Sequence, residues 1–267
     1  MSDSQHNARS YVLHEATLLQ LKKLSPNVAV LPWGAEEAHN YHLPHGTDVV
    51  AATAIAETVV ARANAGGARC LVLPAVPFGN DNLQLSQVAT ITMRTSTQHA
   101  VLYDVADSLA RQGIDRLVIF NFHGGNDFKQ LIRDVMLNLP IFIVQINLYE
   151  VAPESNKVLA VPGGDHANEM ETSLLLHLKP QWVAPLETAG DGQTTPSKLP
   201  ALSGTAGVWC PRDWASLTQD TGVGNPKAAT AQKGEHIFQA IVEKVVPILV
   251  ELSAAQRGDF PFVIRNR

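Results

Sequence analysis

Short apolar runs recur along this chain, each followed by a polar loop and then by a longer stretch of helical character. Val28–Leu31, Cys70–Leu73, Arg116–Asn121 and Ile141–Leu148 read as core strands, since short continuous apolar runs suit strands buried on both faces. Asp48–Asn64, Ser96–Gln112 and Asp127–Asn138 read as the intervening helices, with Gly66-Gly67 closing the first and Gly113 the second, as helix-ending glycines do. Met170–Leu178 and Lys227–Glu251 supply two further helices. Strands alternating with helices predict the α/β class and a parallel, doubly wound sheet. The region from about 184 to 224 breaks this pattern: Gly, Pro, Thr and Ser are frequent there and no period is evident. Such a segment is expected to be a lid or an interface arm, over its own site or a neighbour's. No repeat or linker divides the chain, so residues 1–267 read as one domain.

Composition narrows the class of function. The chain has 267 residues, 45% of them apolar, and a formal net charge of -5; with no basic stripe, nucleic acid is excluded as a partner. Two cysteines, Cys70 and Cys210, make no disulfide framework and fit reduced thiols. The first ten residues lack an apolar signal core, and no run is long enough to span a membrane. A soluble, cytoplasmic protein is expected.

Candidate chemistry sits in three places. Glu37-x-His39 with Asp48 follows the first strand, His123-Gly124-Gly125-Asn126 follows the third, and Asp165-His166-Ala-Asn-Glu169-Met-Glu171 opens a helix. Loops that follow parallel strands converge on one sheet edge, where such folds place their chemistry. Each cluster alone has a plainer explanation: Glu-x-His is weak, His123 could be a turn histidine beside glycines, and Glu171 could favour a helix dipole. Together they require three coincidences at matching positions. Imidazole with carboxylate and no cysteine suits zinc, manganese or a similar divalent ion. A carboxylate shared by two ions roughly 3.5–4 Å apart completes many hydrolytic sites.

These residues also resemble a known family. Gly34-x-x-Glu37-x-His39-x-x-His42-Leu-Pro-x-Gly46-Thr47-Asp48, Asn121-x-His123-Gly-Gly-Asn126, His166-Ala-x-x-x-Glu171-Thr-Ser173 and Gly222-Val-Gly-Asn-Pro-Lys-Ala-Ala-Thr-Ala-Gln-Lys-Gly234 are similar to the four ordered motifs of the creatininase (creatinine amidohydrolase) family. The resemblance runs from about residue 28 to 250. It implies a three-layer α/β/α sandwich with a mostly parallel central sheet, two Zn or Mn ions per chain and a homo-oligomer, often a hexamer. It places Glu37, Asp48 and His123 around one ion and His39, Asp48 and a further carboxylate around the other, with Asp48 bridging. His166 matches the histidine that passes a proton to the leaving nitrogen. Creatininase itself carries a metal-binding glutamate where this chain has Gly125, so Glu171 is expected to hold the second ion.

The expected activity is amide hydrolysis in a small-molecule substrate of cyclic or formyl type by metal-activated hydroxide. Val161-Pro-Gly-Gly-Asp165 lacks the tryptophan that creatininases close over their flat ring, which disfavours creatinine itself. A formamidopyrimidine-nucleotide deformylase or a peptide-maturation hydrolase of the same family is the alternative within hydrolases. A non-catalytic, metal-stabilised scaffold is the alternative outside them. Gly124, Gly125 and Asn126 are expected to let backbone N–H groups at a helix start support an oxyanion; on that reading Gly125→Ala slows turnover and spares the metal. His42 and His45 read as support for Asp48 or as surface histidines, and His6, His14, His99, His177 and His236 as unconnected with any cluster.

Overall fold

The structure, a computed structural model, describes residues 9–161 and 163–261; His6 lies outside them. Among the described residues four strands form one parallel sheet: β1 (Val28–Trp33), β2 (Cys70–Val72), β3 (Arg116–Asn121) and β4 (Phe142–Asn147), in the order β2-β1-β3-β4. β1 pairs with β3 from Val28↔Arg116 to Trp33↔Asn121. Strand order reverses between these two, and an open parallel sheet has its crevice at such a switch point. Pro32, within a central strand, lacks a donor for the ladder. It is tolerated because β2 ends opposite Val30, so no strand faces that side of Pro32; its carbonyl still accepts from Val76 N at 2.9 Å.

Alternate strand residues feed two cores. Val28, Val30, Val72, Val118 and Phe120 face one, packed against α2 (Thr47–Ala65), α5 (Glu169–Leu178) and α8 (Ala231–Ala254). Ala29, Leu31, Trp33, Leu117 and Ile119 face the other, covered by α3 (Thr95–Arg111) and α4 (Lys129–Asn138). The three-layer α/β/α sandwich is thereby formed. At a period of two, a strand buried on both faces is apolar at every position, and β1 and β3 are buried throughout.

Most boundaries fall within a few residues of the sequence reading. Helix α1 (Leu18–Leu24) escaped it: it is only seven residues long and exposes Leu18 and Leu19, so it carries no clear apolar stripe. Its signal was the capping box Thr17-x-x-Gln20, in which both reciprocal bonds form. Residues 184–224 contain only short helical turns, among them α6 (Pro200–Gly204) and α7 (Trp214–Leu217). No helix among the described residues is long and apolar enough to cross a membrane.

Candidate metal centre

The carboxyl ends of β1 and β3 deliver the first ligand-type side chains. After Trp33 the chain turns at Gly34 so tightly against the start of α2 that a Cβ there would stand 2.6 Å from Val49 N and 2.9 Å from Asp48 Cβ. That approach brings Asp48, in the first turn of α2, beside Glu37 and His39. An acidic residue is favoured at this end of a helix. His123 enters from the loop after β3, and Asn168 caps α5 by accepting from Met170 N and Glu171 N, which sets Glu171 at the head of that helix. His166 lies in the loop just before it, tied to Val223 through backbone bonds in both directions.

The structure brings together Glu37, His39, Asp48, His123, His166 and Glu171, whereas Asp165 pairs with Arg212 at the surface and Glu169 with Lys233. Glu37, Asp48 and His123 offer ligand atoms within 4.8 Å of one another; so do His39, Asp48 and Glu171, and so do Glu37, His39 and His166. All six are buried. The surroundings assign the imidazole protons. His39 Nδ1 is 3.0 Å from the Glu37 carbonyl, so it donates, and its Nε2 faces Asp48 Oδ1 at 3.1 Å. His166 Nε2 donates to Ala38 O at 2.8 Å, and its Nδ1 faces Glu37 Oε1 at 3.7 Å. His123 Nε2 is surrounded by acceptors, Asn80 O at 3.4 Å and Asp81 Oδ1 at 3.0 Å, while Nδ1 lies 2.8 Å from Glu37 Oε1 and 3.1 Å from Asp48 Oδ2.

An imidazole nitrogen facing a carboxylate calls for a proton or a metal ion between them. Burial would lower His39, yet Asp48 and Glu37 outweigh it and raise that imidazole to about 10, so the site attracts positive charge. Burial pushes the Glu171 carboxyl up to about 8 against the pull of His39. For His166 burial prevails over the pull of Glu37 and lowers the imidazole, keeping it neutral. Asp48 Oδ2 and both oxygens of Asp81 lack a hydrogen bond of acceptable angle, although His123 nitrogens lie close; these approaches are charge contacts, because the N–H is not aimed at those oxygens. Glu37, Asp48, Asp81 and Glu171 are four buried carboxylates, and two divalent cations would balance them. The donor set therefore fits such ions.

Several residues take places that the sequence did not single out. Gln84 Nε2 donates to Glu37 Oε2 at 2.8 Å and holds that carboxylate from behind. Asp81 Oδ1 stands 3.0 Å from the far nitrogen of His123, where its charge favours a proton on that nitrogen beside the accepting Asn80 carbonyl. The general signal was an acidic residue in the loop after β2, on the same sheet edge. Asp81→Asn should weaken divalent binding by about 10–100-fold in a metal-competition titration; an unchanged affinity would dismiss this role. His42 does not support Asp48: its Nε2 bonds Thr172 Oγ1 at 2.8 Å and braces α5. His45, half-buried, bonds Val88 O. Asn40 adopts φ 55, a conformation asparagine tolerates.

The expected oxyanion support is corrected in part. α4 starts at Lys129 with Phe128 as its cap, so Gly124 and Gly125 belong to a turn before the helix. Asn126 Oδ1 accepts from Asn80 N and Gln98 Nε2, and its Nδ2 donates to Asn121 Oδ1 and Gly34 O. Its side-chain amide has no donor left for a substrate, and its backbone N–H donates to His123 O at 3.3 Å. Gly125 has a steric purpose: a Cβ there would lie 2.4 Å from His123 Nε2 and 2.4 Å from Asn80 O.

Fold and site together define a parallel α/β sandwich with a buried carboxylate–imidazole centre at its topological switch point. The family model described as "Creatininase: Creatinine amidohydrolase" matches residues 14–249, and the chain belongs to that family, a family of hydrolases. Among relatives, the "Mycofactocin precursor peptide peptidase" of Mycobacterium tuberculosis is 34% identical, over 92% of this chain and 94% of its own. The "Creatinine amidohydrolase" of Pseudomonas putida is 26% identical, over 84% and 89%. A solved "Putative creatinine amidohydrolase" from Bacteroides fragilis superposes with a TM-score of 0.86 at 39% identity, over 92% of this chain and 98% of that one. A creatininase solved as a manganese form, 22% identical, reaches 0.77 over 92% and 100%, and at that identity shows the fold.

Proposed function

We propose that this chain hydrolyses a carbon–nitrogen amide bond with the help of two divalent ions, Zn or Mn. Glu37, Asp48 and His123 would hold one ion, His39, Asp48 and Glu171 the other, with Asp48 shared. The observation that carries this reading is the orientation of the imidazoles: His39 and His123 each have one nitrogen engaged by acceptors and the other turned to Asp48. Such ions, when bound, polarise a carbonyl and lower the pKa of water at the site. The protein's own part is to exclude bulk water and to move a proton. His166 is buried with Nε2 donating to Ala38 O, so its Nδ1 takes up the proton that the attacking water gives up as its oxygen bonds the carbonyl carbon, and passes it to the nitrogen as the C–N bond breaks.

For the substrate we favour a peptide over a small ring. The two loops beside the centre expose Tyr41, Leu83, Leu85, Val88 and Ile91, an apolar rim that suits a chain with apolar side chains, and the peptidase relatives act on a precursor peptide by name. Small cyclic and formyl amides are the second reading, favoured by the creatininase relatives. The deciding experiment purifies the protein without chelators, measures metal by elemental analysis, and assays apolar peptides beside creatinine and N-formyl amides. About two ions per chain and peptide cleavage are expected; absence of metal uptake and of hydrolysis would put the scaffold reading ahead. Glu171→Ala should reduce the content to about one ion and slow turnover. Full metal and full rate would remove Glu171 from the site.

A further inference from the structure

The His166 ring packs against two other rings. The His39 imidazole lies with its centroid 4.3 Å away and planes at 37°. The indole of Trp214 lies at 4.7 Å and 57°. Trp214 belongs to α7, inside the long connecting segment, and two bonds hold it there: Trp214 N donates to Leu83 O at 3.3 Å, and Leu217 O accepts from Thr195 N at 2.7 Å. Arg212 adds a latch. Its guanidinium grips Asp165, the residue before His166, with Nη1 2.7 Å from Oδ1 and Nη2 on Oδ2. The same guanidinium leans over the Trp214 ring at 5.9 Å. Asp165, His166, Arg212 and Trp214 thus form a closed circuit of contacts within one chain.

The bond from Nε2 to Ala38 O leaves the imidazole free to swing about that contact; the two packed rings, His39 and Trp214, restrict that freedom. We propose that Trp214 is a positioning residue for His166, holding the imidazole plane so that Nδ1 stays turned to the centre, and that residues 212–214 complete the site of their own subunit. The inference rests on the proton-carrying role given to His166 above. Nothing in it requires Trp214 to touch the substrate. The indole is half-buried on a four-residue helix, so its removal leaves both cores intact.

The test uses the metal-loaded protein and two readouts. Diethyl pyrocarbonate labelling, mapped by peptide mass spectrometry, reports access to the His166 ring, with exposed His236 as internal reference. Trp214→Ala should raise His166 labelling about tenfold relative to His236 and lower kcat about ten- to a hundredfold, while KM stays within about threefold, as for a misplaced catalytic group. Trp214→Phe should restore both, because a ring again covers the imidazole. Arg212→Ala, which leaves the indole in place but frees its latch, should raise labelling by a smaller factor. Labelling at the wild-type rate in both alanine variants overturns the proposal, and so does a Phe variant as impaired as Trp214→Ala. His166→Ala separates the two claims: full turnover in that variant would sink the proton role, whereas the labelling still judges the clamp.

Discussion

Asp48→Asn is expected to release both ions and to lower kcat/KM by at least about 10³-fold, about 4 kcal/mol of transition-state stabilisation. The reason is geometric. One carboxylate faces two imidazoles, Oδ1 at 3.1 Å from His39 Nε2 and Oδ2 at 3.1 Å from His123 Nδ1, and Asp48 is common to the Glu37/His123 and His39/Glu171 groups. An amide keeps the shape, loses the charge and retains only one oxygen, so it cannot serve both sides. The fold should persist, since Asp48 contributes to α2 mainly through its favourable place at the helix start, an effect of about 0.3–1 kcal/mol. Elemental analysis after dialysis, with circular dichroism as the check on folding, decides the matter. A folded variant that keeps two tightly bound ions would refute the shared-carboxylate assignment.

Gly125→Ala should remove metal and turnover together. From the sequence, this substitution should slow the reaction and spare the metal, through backbone support of an oxyanion. The structure adds a steric reason with a different outcome: the new methyl would stand 2.4 Å from His123 Nε2 and 2.4 Å from Asn80 O, so the imidazole must rotate or the loop after β2 must retreat. Either movement spoils the Glu37/Asp48/His123 group. We expect metal content to fall towards about one ion per chain and kcat to drop about a hundredfold, the scale of a misplaced catalytic group. Gly124→Ala, where a Cβ meets nothing within 4 Å, is the matched control and should behave as wild type. Wild-type metal content in Gly125→Ala would show that the loop yields without moving His123.

The chain's own pattern determined the α/β class, the four strands and the main helices, because burial on two faces or on one helical stripe leaves a periodic record in local residue choice. Glu37, His39, Asp48 and His123 were legible for a related reason: polar ligand-type side chains in loops that follow apolar strands have no packing purpose, so they stand out without coordinates. His166 and Glu171, at a helix start beside Asp165 and Glu169, were picked out by the resemblance to the family's motifs. Pairing was another matter. That Asp81 stands on the far side of His123, that Gln84 holds Glu37, that His42 braces Thr172 rather than Asp48, and that Asn126 is fully engaged depend on loops from different strands meeting at one edge. Nothing local encodes those contacts. The same holds for Trp214, which reaches His166 from an aperiodic segment whose course is set by a few long-range bonds, such as those to Leu83 and Asp165. Sequence by itself determined which chemistry was available and on which edge of the sheet; only the tertiary structure decided which groups share a proton or a cation, because that depends on ångström-scale distances between elements far apart in the chain.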